Sequence, residues 1–156
     1  MMKTIKLFLI MSVCALLFCA CGNKVSGYFD EIEWGTAKED VKTLLTEKEG
    51  IEPGENADGS KLQLEVENYR GVDGVKARIE CSFKEEKLDG VFVYLDFDEN
   101  TFKNEEIMSQ YAEILTAEFG DCSQDTGDMK IWKLGKSEVQ LANFSYGTLV
   151  IAYMPK

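Results

Sequence analysis

The sequence contains no histidine among its 156 residues. The side chain that most often serves as a general base near neutral pH is therefore missing, and a serine or cysteine nucleophile has no imidazole partner. The G-x-S-x-G, P-loop and G-x-G-x-x-G patterns are absent as well. No pair stands out among the 28 acidic residues as a glycosidase pair. We therefore expect a protein that is not an enzyme and that uses no cofactor.

Basic residues are scarce, with 17 Lys and Arg against 28 Asp and Glu and a net charge of −11. No basic patch is available to neutralise phosphates, which excludes nucleic acid as a partner. The acidic stretch 96–107 begins like a calcium loop. It then departs from that pattern, because Thr101 replaces the turn glycine and Ile107 replaces the bidentate glutamate. We therefore predict a solvated turn between a strand and a helix, and no metal site.

No apolar run is long enough to span a bilayer, which requires about 20 residues. The longest run, "LFLIMSVCALLF", covers residues 7–18. It follows Lys3 and Lys6, and no acid precedes it. A basic start followed by a short apolar run is typical of a secretory signal peptide. The sequence thus predicts an extracytoplasmic protein.

The end of this run, "LFCACGN", resembles the bacterial lipobox, in which a Leu-rich stretch and two small residues precede an obligatory cysteine. Phe18 departs from the motif, which usually has Leu, Val or Ile there. The resemblance implies that residues 1–20 are a lipoprotein signal peptide and that Cys21 becomes the first mature residue, carrying a diacylglyceryl group. The alternatives are a plain secretory signal and an uncleaved helix. A C-x-C metal site is excluded, because the chain has no histidine and no second thiol pair.

The expected mature chain, residues 21–156, carries 15 basic and 28 acidic side chains, because the signal holds two lysines and no acid. Anionic headgroups repel a domain with a charge of −13, so membrane attachment must rest on the acyl chains. Residues 21–27 are predicted to be a short tether that holds the domain near the membrane surface. Residues 28–156 are predicted to form one domain.

The pattern within this domain occurs twice. Residues 28–45 predict a helix, with a capping box at Thr36 and Glu39 and an apolar stripe at Ala37, Val41, Leu44 and Leu45. Three strands are predicted next, at 62–69, 75–84 and 91–97. A second helix follows, which ends at Gly120 and has an apolar face of Ile107, Tyr111, Ile114, Leu115 and Phe119. Three more strand patterns, 129–134, 138–144 and 148–154, end the chain.

This order predicts an α+β fold with the half-repeats 28–97 and 98–156 arranged as an αβββ-αβββ pseudo-repeat. We expect a single antiparallel sheet of about six strands with two helices on one face. Strict alternation in the third strand points Val91, Val93 and Leu95 at the helices. A bulge at Asp89–Gly90 would reverse that assignment.

The stretch "FDEIEWGTAKEDV", residues 29–41, resembles the signature F-x-x-I-x-[FW]-G-[MT]-[ST]-x-x-x-V. That signature opens the repeats of the β-lactamase inhibitory protein and of many secreted bacterial lipoproteins. Five residues match in register: Phe29, Ile32, Trp34, Gly35 and Val41. Ala37 departs from it, at a position where Ser or Thr is usual. More distantly, the plan of helices on a sheet is similar to small outer-membrane assembly lipoproteins of the SmpA/BamE type. The resemblance implies fold more than function.

Two cysteines remain inside the domain, Cys81 and Cys122. An extracytoplasmic compartment permits a disulfide, and closing a loop of about 40 residues would contribute on the order of 3–4 kcal/mol. The alternative is two separate thiols. The distance that decides between them cannot be obtained from the sequence.

The face of the sheet away from the helices is the predicted working surface. Its candidate partner-binding residues are Phe92, Tyr94, Trp132 and Phe144, joined by Val150, Ala152 and Met154. A solvated face is normally polar, so aromatic side chains there indicate a partner or a ligand. Alternatively, the loop 46–61 or a second copy of the chain covers this face.

Two functions follow from this reading. The first is a non-catalytic envelope lipoprotein whose sheet face binds a protein partner. The second is a lipoprotein that binds a small molecule or a lipid on the same face. A deep cavity beneath the loop 46–61 would favour the second, and an open face with aromatic residues the first.

Overall fold

The computed structural model describes residues 26–98, 103–144 and 148–156. Two helices and eight strands lie in these ranges. The helices are α1 (Lys38–Glu49) and α2 (Asn104–Phe119). The strands are β1 (Gly54–Glu55), β2 (Lys61–Val66), β3 (Val75–Lys84), β4 (Lys87–Phe97), β5 (Gln124–Asp125), β6 (Met129–Lys133), β7 (Ser137–Phe144) and β8 (Thr148–Pro155). The predicted α+β class is confirmed.

All eight strands belong to one open antiparallel sheet with the order β1-β2-β3-β4-β8-β7-β6-β5. The prediction of a single antiparallel sheet is confirmed, but the expected number of about six strands is wrong. The two additional strands, β1 and β5, have two residues each and form the outer edges. A two-residue strand is too short to show alternation, so sequence pattern does not reveal it. Each helix is therefore followed by four strands.

Helix α1 begins at Lys38, two residues after Thr36, the predicted N-cap. Thr36 is held in extended backbone by Leu88, whose N–H donates to the Thr36 carbonyl at 2.9 Å. The Thr36 hydroxyl donates back to the carbonyl of Glu33 at 2.7 Å, so the predicted box with Glu39 is wrong. Ala37 takes the N-cap position without a side-chain hydrogen bond.

The apolar faces of the helices are mostly as predicted. In α1, Val41 and Leu45 are buried, whereas Leu44 is 43% exposed and does not belong to the stripe. In α2 the predicted face is buried except for Ile114, which is half-buried against the core. The helix ends at Gly120, as expected, where the backbone N–H donates to Thr116.

The hairpin between β3 and β4 contains a bulge. Ser82 pairs with Gly90 and Phe83 pairs with Leu88, so Asp89 has no partner opposite it. The extra residue places Leu88 on the same face as Val91, and both are buried. The predicted orientation of Val91, Val93 and Leu95 towards the core is therefore correct. The bulge changes the alternation only for the residues of β4 before Asp89.

One core joins both halves of the chain. Val41 and Leu45 of α1 belong to the same cluster of buried side chains as Ile107, Tyr111 and Leu115 of α2. Strand residues that face this cluster lie opposite one another across the sheet, such as Ile79, Val93, Ile151 and Leu141. Because the core contains side chains from only one face of the central strands, no helix of residues 26–98, 103–144 and 148–156 packs on the other face.

Candidate functional site

The strand register defines an open face, the side of the sheet opposite the core. Its residues are those that alternate with the buried ones. They are Lys61, Gln63, Glu65, Lys76, Arg78, Glu80, Ser82, Lys84, Lys87, Phe92, Tyr94, Asp96, Met129, Ile131, Lys133, Glu138, Gln140, Ala142, Phe144, Thr148, Val150, Ala152 and Met154.

The centre of the open face is apolar and lined by small side chains. Across β4, β8 and β7, Tyr94 lies opposite Val150, and Val150 lies opposite Ala142. In the next row Phe92 lies opposite Ala152. Val150 and Ala142 are only 6% and 8% exposed. We name the apolar patch formed by Ala142, Val150 and Ala152 the trough.

Aromatic side chains border the trough at two places. Phe92 and Tyr94 are half-buried on β4, which agrees with their predicted place on this face. Phe144 stands at the end of β7 with 57% of its surface exposed. An exposed phenylalanine beside an apolar patch is the type of feature that marks a binding surface rather than ordinary solvated sheet.

Trp132 does not belong to this surface, and its prediction as a partner residue is wrong. It lies opposite Val139 on the core face and is fully buried. Its indole N–H donates to the carbonyl of Gly120 at 2.9 Å, at the C-terminus of α2. Ile131 takes the outward position in β6, with Met129 two residues before it. The segment "MKIWKL" has apolar residues at both alternating sets, so its pattern does not decide which face is buried.

The side of the open face formed by β2 and β3 is charged and centred on Glu80. This carboxylate is only 6% exposed and accepts three hydrogen bonds. They come from Lys61 Nζ at 3.0 Å, Gln63 Nε2 at 3.0 Å and Arg78 at 2.7 Å. Burial opposes ionisation of Glu80, but the hydrogen bond from Lys61 and the charges of Lys61 and Arg78 outweigh it, so the pKa lies below its ordinary value.

Arg78 connects the charged and the apolar sides. Its guanidinium lies over the ring of Tyr94, with 4.5 Å between the guanidinium carbon and the ring centroid. This is a cation–π contact between neighbouring strands. Arg78 is half-exposed, so it holds Tyr94 in place and remains accessible to a partner. Neither Glu80 nor Arg78 was predicted as a site residue. The sequence feature that could have identified them is the alternation of β3, which places charged residues at the outward positions of the strand.

The open face carries a small excess of basic residues in a strongly acidic protein. It has six basic residues (Lys61, Lys76, Arg78, Lys84, Lys87, Lys133) and four acidic ones (Glu65, Glu80, Asp96, Glu138). Subtracting these from the 15 basic and 28 acidic residues of the expected mature chain leaves 9 basic and 24 acidic residues, a charge of −15, on the rest of the chain. The acidic excess of the protein therefore lies outside this face.

Both cysteines of the domain are free, so the predicted bridge is not formed in the structure. Cys81 is buried in β3, and burial, together with the charge of Asp30, raises the pKa of its thiol to about 12. Cys122 is half-buried in the other half of the chain. It lines a groove of about 620 Å³ between α2 and the β5–β6 hairpin, beside Ala112 and Lys130. The prediction of lipidation at Cys21 lies outside the described residues.

Within residues 26–98, 103–144 and 148–156, no group of three or more His, Cys, Asp or Glu side chains is arranged to hold a metal ion. No helix in the described part of the chain is long and apolar enough to cross a membrane. No family model, curated protein or solved structure matches the chain. What the geometry defines is a class of architecture: an α+β domain with an open sheet face that carries aromatic side chains and a small excess of basic residues.

Proposed function

We propose that this protein is a non-catalytic cell-envelope lipoprotein, anchored through Cys21, whose open face binds a protein partner. The observation that carries the proposal is the trough, an apolar patch that no helix of the described residues covers and that is bordered by Phe92, Tyr94 and Phe144. Aromatic side chains of this kind are the usual anchors of protein interfaces, and arginine is enriched beside them. Arg78 occupies that position here.

The charge distribution supports a protein partner of definite chemistry. An acidic body repels other acidic proteins and anionic lipid, whereas the open face, with its small basic excess, does not. We expect the partner to present an apolar ridge that packs on the trough and a polar rim with a carboxylate that reaches Arg78. Because the central contact is apolar, association with the open face should depend weakly on salt.

The anchor and the repeated order of one helix and four strands support the second part of the proposal. The lipobox-like sequence ending at Cys21 would place the domain outside the cytoplasm. The half-repeats 28–97 and 98–156 and the resemblance to the β-lactamase inhibitory protein agree with a binding scaffold. Fold resemblance alone assigns no chemistry, so the proposal rests on the open face.

The alternative, a small molecule or lipid bound on the same face, has less support. The cavity beside the loop 46–61 has a volume of about 370 Å³, and every residue that lines it is polar. The loop itself contacts α1, where Lys38 Nζ donates to Glu55 and to the carbonyl of Gly59, both at 2.7 Å. These contacts hold the loop on the helix side, away from the trough. Small-molecule sites are typically concave and mostly apolar.

Site-specific photo-crosslinking in the native membrane tests the proposal. A benzophenone amino acid replaces Phe144, and the matched control carries the same group at Leu44, an exposed apolar residue on α1. We expect a defined crosslinked protein from position 144 and none from position 44. Ala152→Glu, which adds a charge to the trough, should abolish this capture without changing the far-UV circular dichroism spectrum. Equal products from both positions, or capture that survives Ala152→Glu, would contradict the proposal.

A further inference from the structure

A second site lies on the opposite side of the molecule, beside the C-terminal ends of both helices. It is a cavity of about 750 Å³. Its charged lining consists of Asp30, Glu31, Lys48, Arg70 and Glu118, and its aromatic lining of Tyr28 and Phe119. None of these residues belongs to the open face, and none was predicted from the sequence as a site residue.

Two strained turns frame the cavity. Asp30 and Glu31 have φ angles of 49° and 65° in the turn Phe29–Ile32. Arg70 has a φ angle of 52° in the turn Tyr69–Val72. Left-handed backbone favours glycine, asparagine or aspartate, so a glutamate and an arginine in it store strain. Strained residues that converge on one cavity indicate a function for their side chains.

Each turn is tied to the end of a helix by an ion pair. Asp30 accepts a contact of 2.6 Å from Lys48 in the last turn of α1. Arg70 pairs with Glu118 in the last turn of α2. Arg70 also donates to the hydroxyls of Tyr153 at 3.0 Å and Tyr69 at 3.3 Å. These contacts fix the conformation of both turns and so maintain the strained backbone.

The ion pairs leave binding capacity unused. A lysine ammonium has three donors and a guanidinium has five. Lys48 makes one ion pair and remains 49% exposed, and Arg70 makes three hydrogen bonds. Glu31 is exposed and forms no ion pair in the described part of the chain. The cavity thus offers unused donors on two cations and a free carboxylate acceptor.

The balance of charges specifies the ligand class. Three acidic and two basic side chains line the cavity, so a simple anion meets net repulsion. A zwitterion satisfies both signs: its anionic group accepts from Lys48 and Arg70, and its ammonium donates to Glu31. A quaternary ammonium has no N–H to donate and fits less well.

The position of the cavity suggests where such a zwitterion occurs. Ser26 and Gly27 also line it, and the Ser26 carbonyl accepts a hydrogen bond of 3.1 Å from Lys136. Five residues separate Ser26 from Cys21, a reach of at most about 18 Å. If Cys21 is the lipid anchor, as in the proposed function, the cavity lies within that distance of the bilayer surface.

From these observations we infer that the cavity binds a phosphoethanolamine group, the headgroup of a zwitterionic phospholipid. The phosphate lies between Lys48 and Arg70, and the ammonium lies against Glu31. The membrane location rests on the proposed anchor, but the recognition chemistry does not.

Calorimetric titration of the purified processed protein in mild detergent provides the first test. The probes are O-phosphoethanolamine, phosphocholine and inorganic phosphate. We expect binding of O-phosphoethanolamine, at least about tenfold weaker binding of phosphocholine, and none of phosphate. Absence of heat with O-phosphoethanolamine, or equal affinity for all three, would overturn the inference whether or not Cys21 is lipidated.

Two variants separate recognition from folding. Glu31→Gln should weaken O-phosphoethanolamine at least about tenfold, whereas Glu39→Gln at the other end of α1 should leave it unchanged. Glu31→Gly should lose binding and also raise the thermal midpoint by a few degrees, since glycine relieves the positive φ. Binding by Glu31→Gln at wild-type strength would refute the assignment of Glu31.

Vesicles distinguish the source of the headgroup. The protein should bind vesicles of phosphatidylethanolamine more tightly than vesicles of phosphatidylcholine, and Glu31→Gln should remove that difference in affinity. Binding of the soluble compound without any preference among vesicles would assign the site to a free phosphoethanolamine compound and overturn the lipid assignment.

Discussion

Replacing Glu80 by glutamine tests how the charged side of the open face is held. The change keeps the shape of the side chain and removes the charge that Lys61, Gln63 and Arg78 share. Hydrogen bonds to a charged group contribute about 1.5–3 kcal/mol, but exposed ion pairs contribute about 0–1 kcal/mol. Lys61 and Arg78 are 41% and 50% exposed, so a value between these limits applies. We expect Glu80→Gln to lower the free energy of unfolding by about 1–2 kcal/mol at neutral pH.

The pH dependence has a definite sign. The pKa of Glu80 is lowered in the folded state, so its ionisation stabilises the protein above the unfolded pKa of about 4.3. That contribution disappears as the pH falls through the lower folded pKa. The difference between wild type and Glu80→Gln should therefore be constant above the unfolded pKa and shrink towards zero as the pH falls below it and through the folded pKa.

Urea denaturation at a series of pH values measures this difference. Glu65→Gln is the matched control, because Glu65 is exposed on the same face and forms no ion pair in the described part of the chain. We expect the control to stay within about 0.5 kcal/mol of wild type at every pH. A Glu80→Gln effect that is independent of pH, or no larger than that of the control, would refute the account of the three-donor network.

Other changes test the core, the hairpin and the anchor. Trp132→Ala should cost about 3–5 kcal/mol in urea denaturation, because the indole is fully buried, and a cost under about 1 kcal/mol would place it on the surface after all. Glu86→Gly should stabilise the β3–β4 hairpin by roughly 0.5–1 kcal/mol. The left-handed φ angle of 60° costs a glutamate about 1–2 kcal/mol, which exceeds the roughly 0.5–1 kcal/mol that glycine costs in backbone entropy, and a lower melting midpoint would contradict this. Cys21→Ser should leave the precursor unprocessed and unlipidated by intact mass and detergent partitioning. A Ser variant that matures like wild type would rule out the lipoprotein assignment.

Strong periodicity explains what the sequence could predict. Strand β3 alternates over ten residues and was predicted with both boundaries correct, from Val75 to Lys84. Helix α2 was likewise recognisable from its face and from Gly120. In β4 the alternation from Val91 onwards placed Phe92 and Tyr94 on the correct face.

The failures share a physical cause: contacts between distant segments, which a local pattern does not contain. Thr36 is held by Leu88, a residue 52 positions later in the chain, and this pairing displaced the start of α1. Trp132 is turned inward because its indole reaches Gly120. The strained turns at Asp30 and Arg70 depend on ion pairs with Lys48 and Glu118, so no propensity for a left-handed turn was visible.

The two shortest strands have a consequence wherever many copies of the chain are close together. A sheet edge exposes unpaired backbone donors and acceptors that can pair with another chain. Here each edge of the sheet is a strand of only two residues, Gly54–Glu55 on one side and Gln124–Asp125 on the other. A second chain would find too few hydrogen bonds at either edge to extend the sheet. Neighbouring copies are thus kept from joining side by side into a continuous sheet, and the open face stays available.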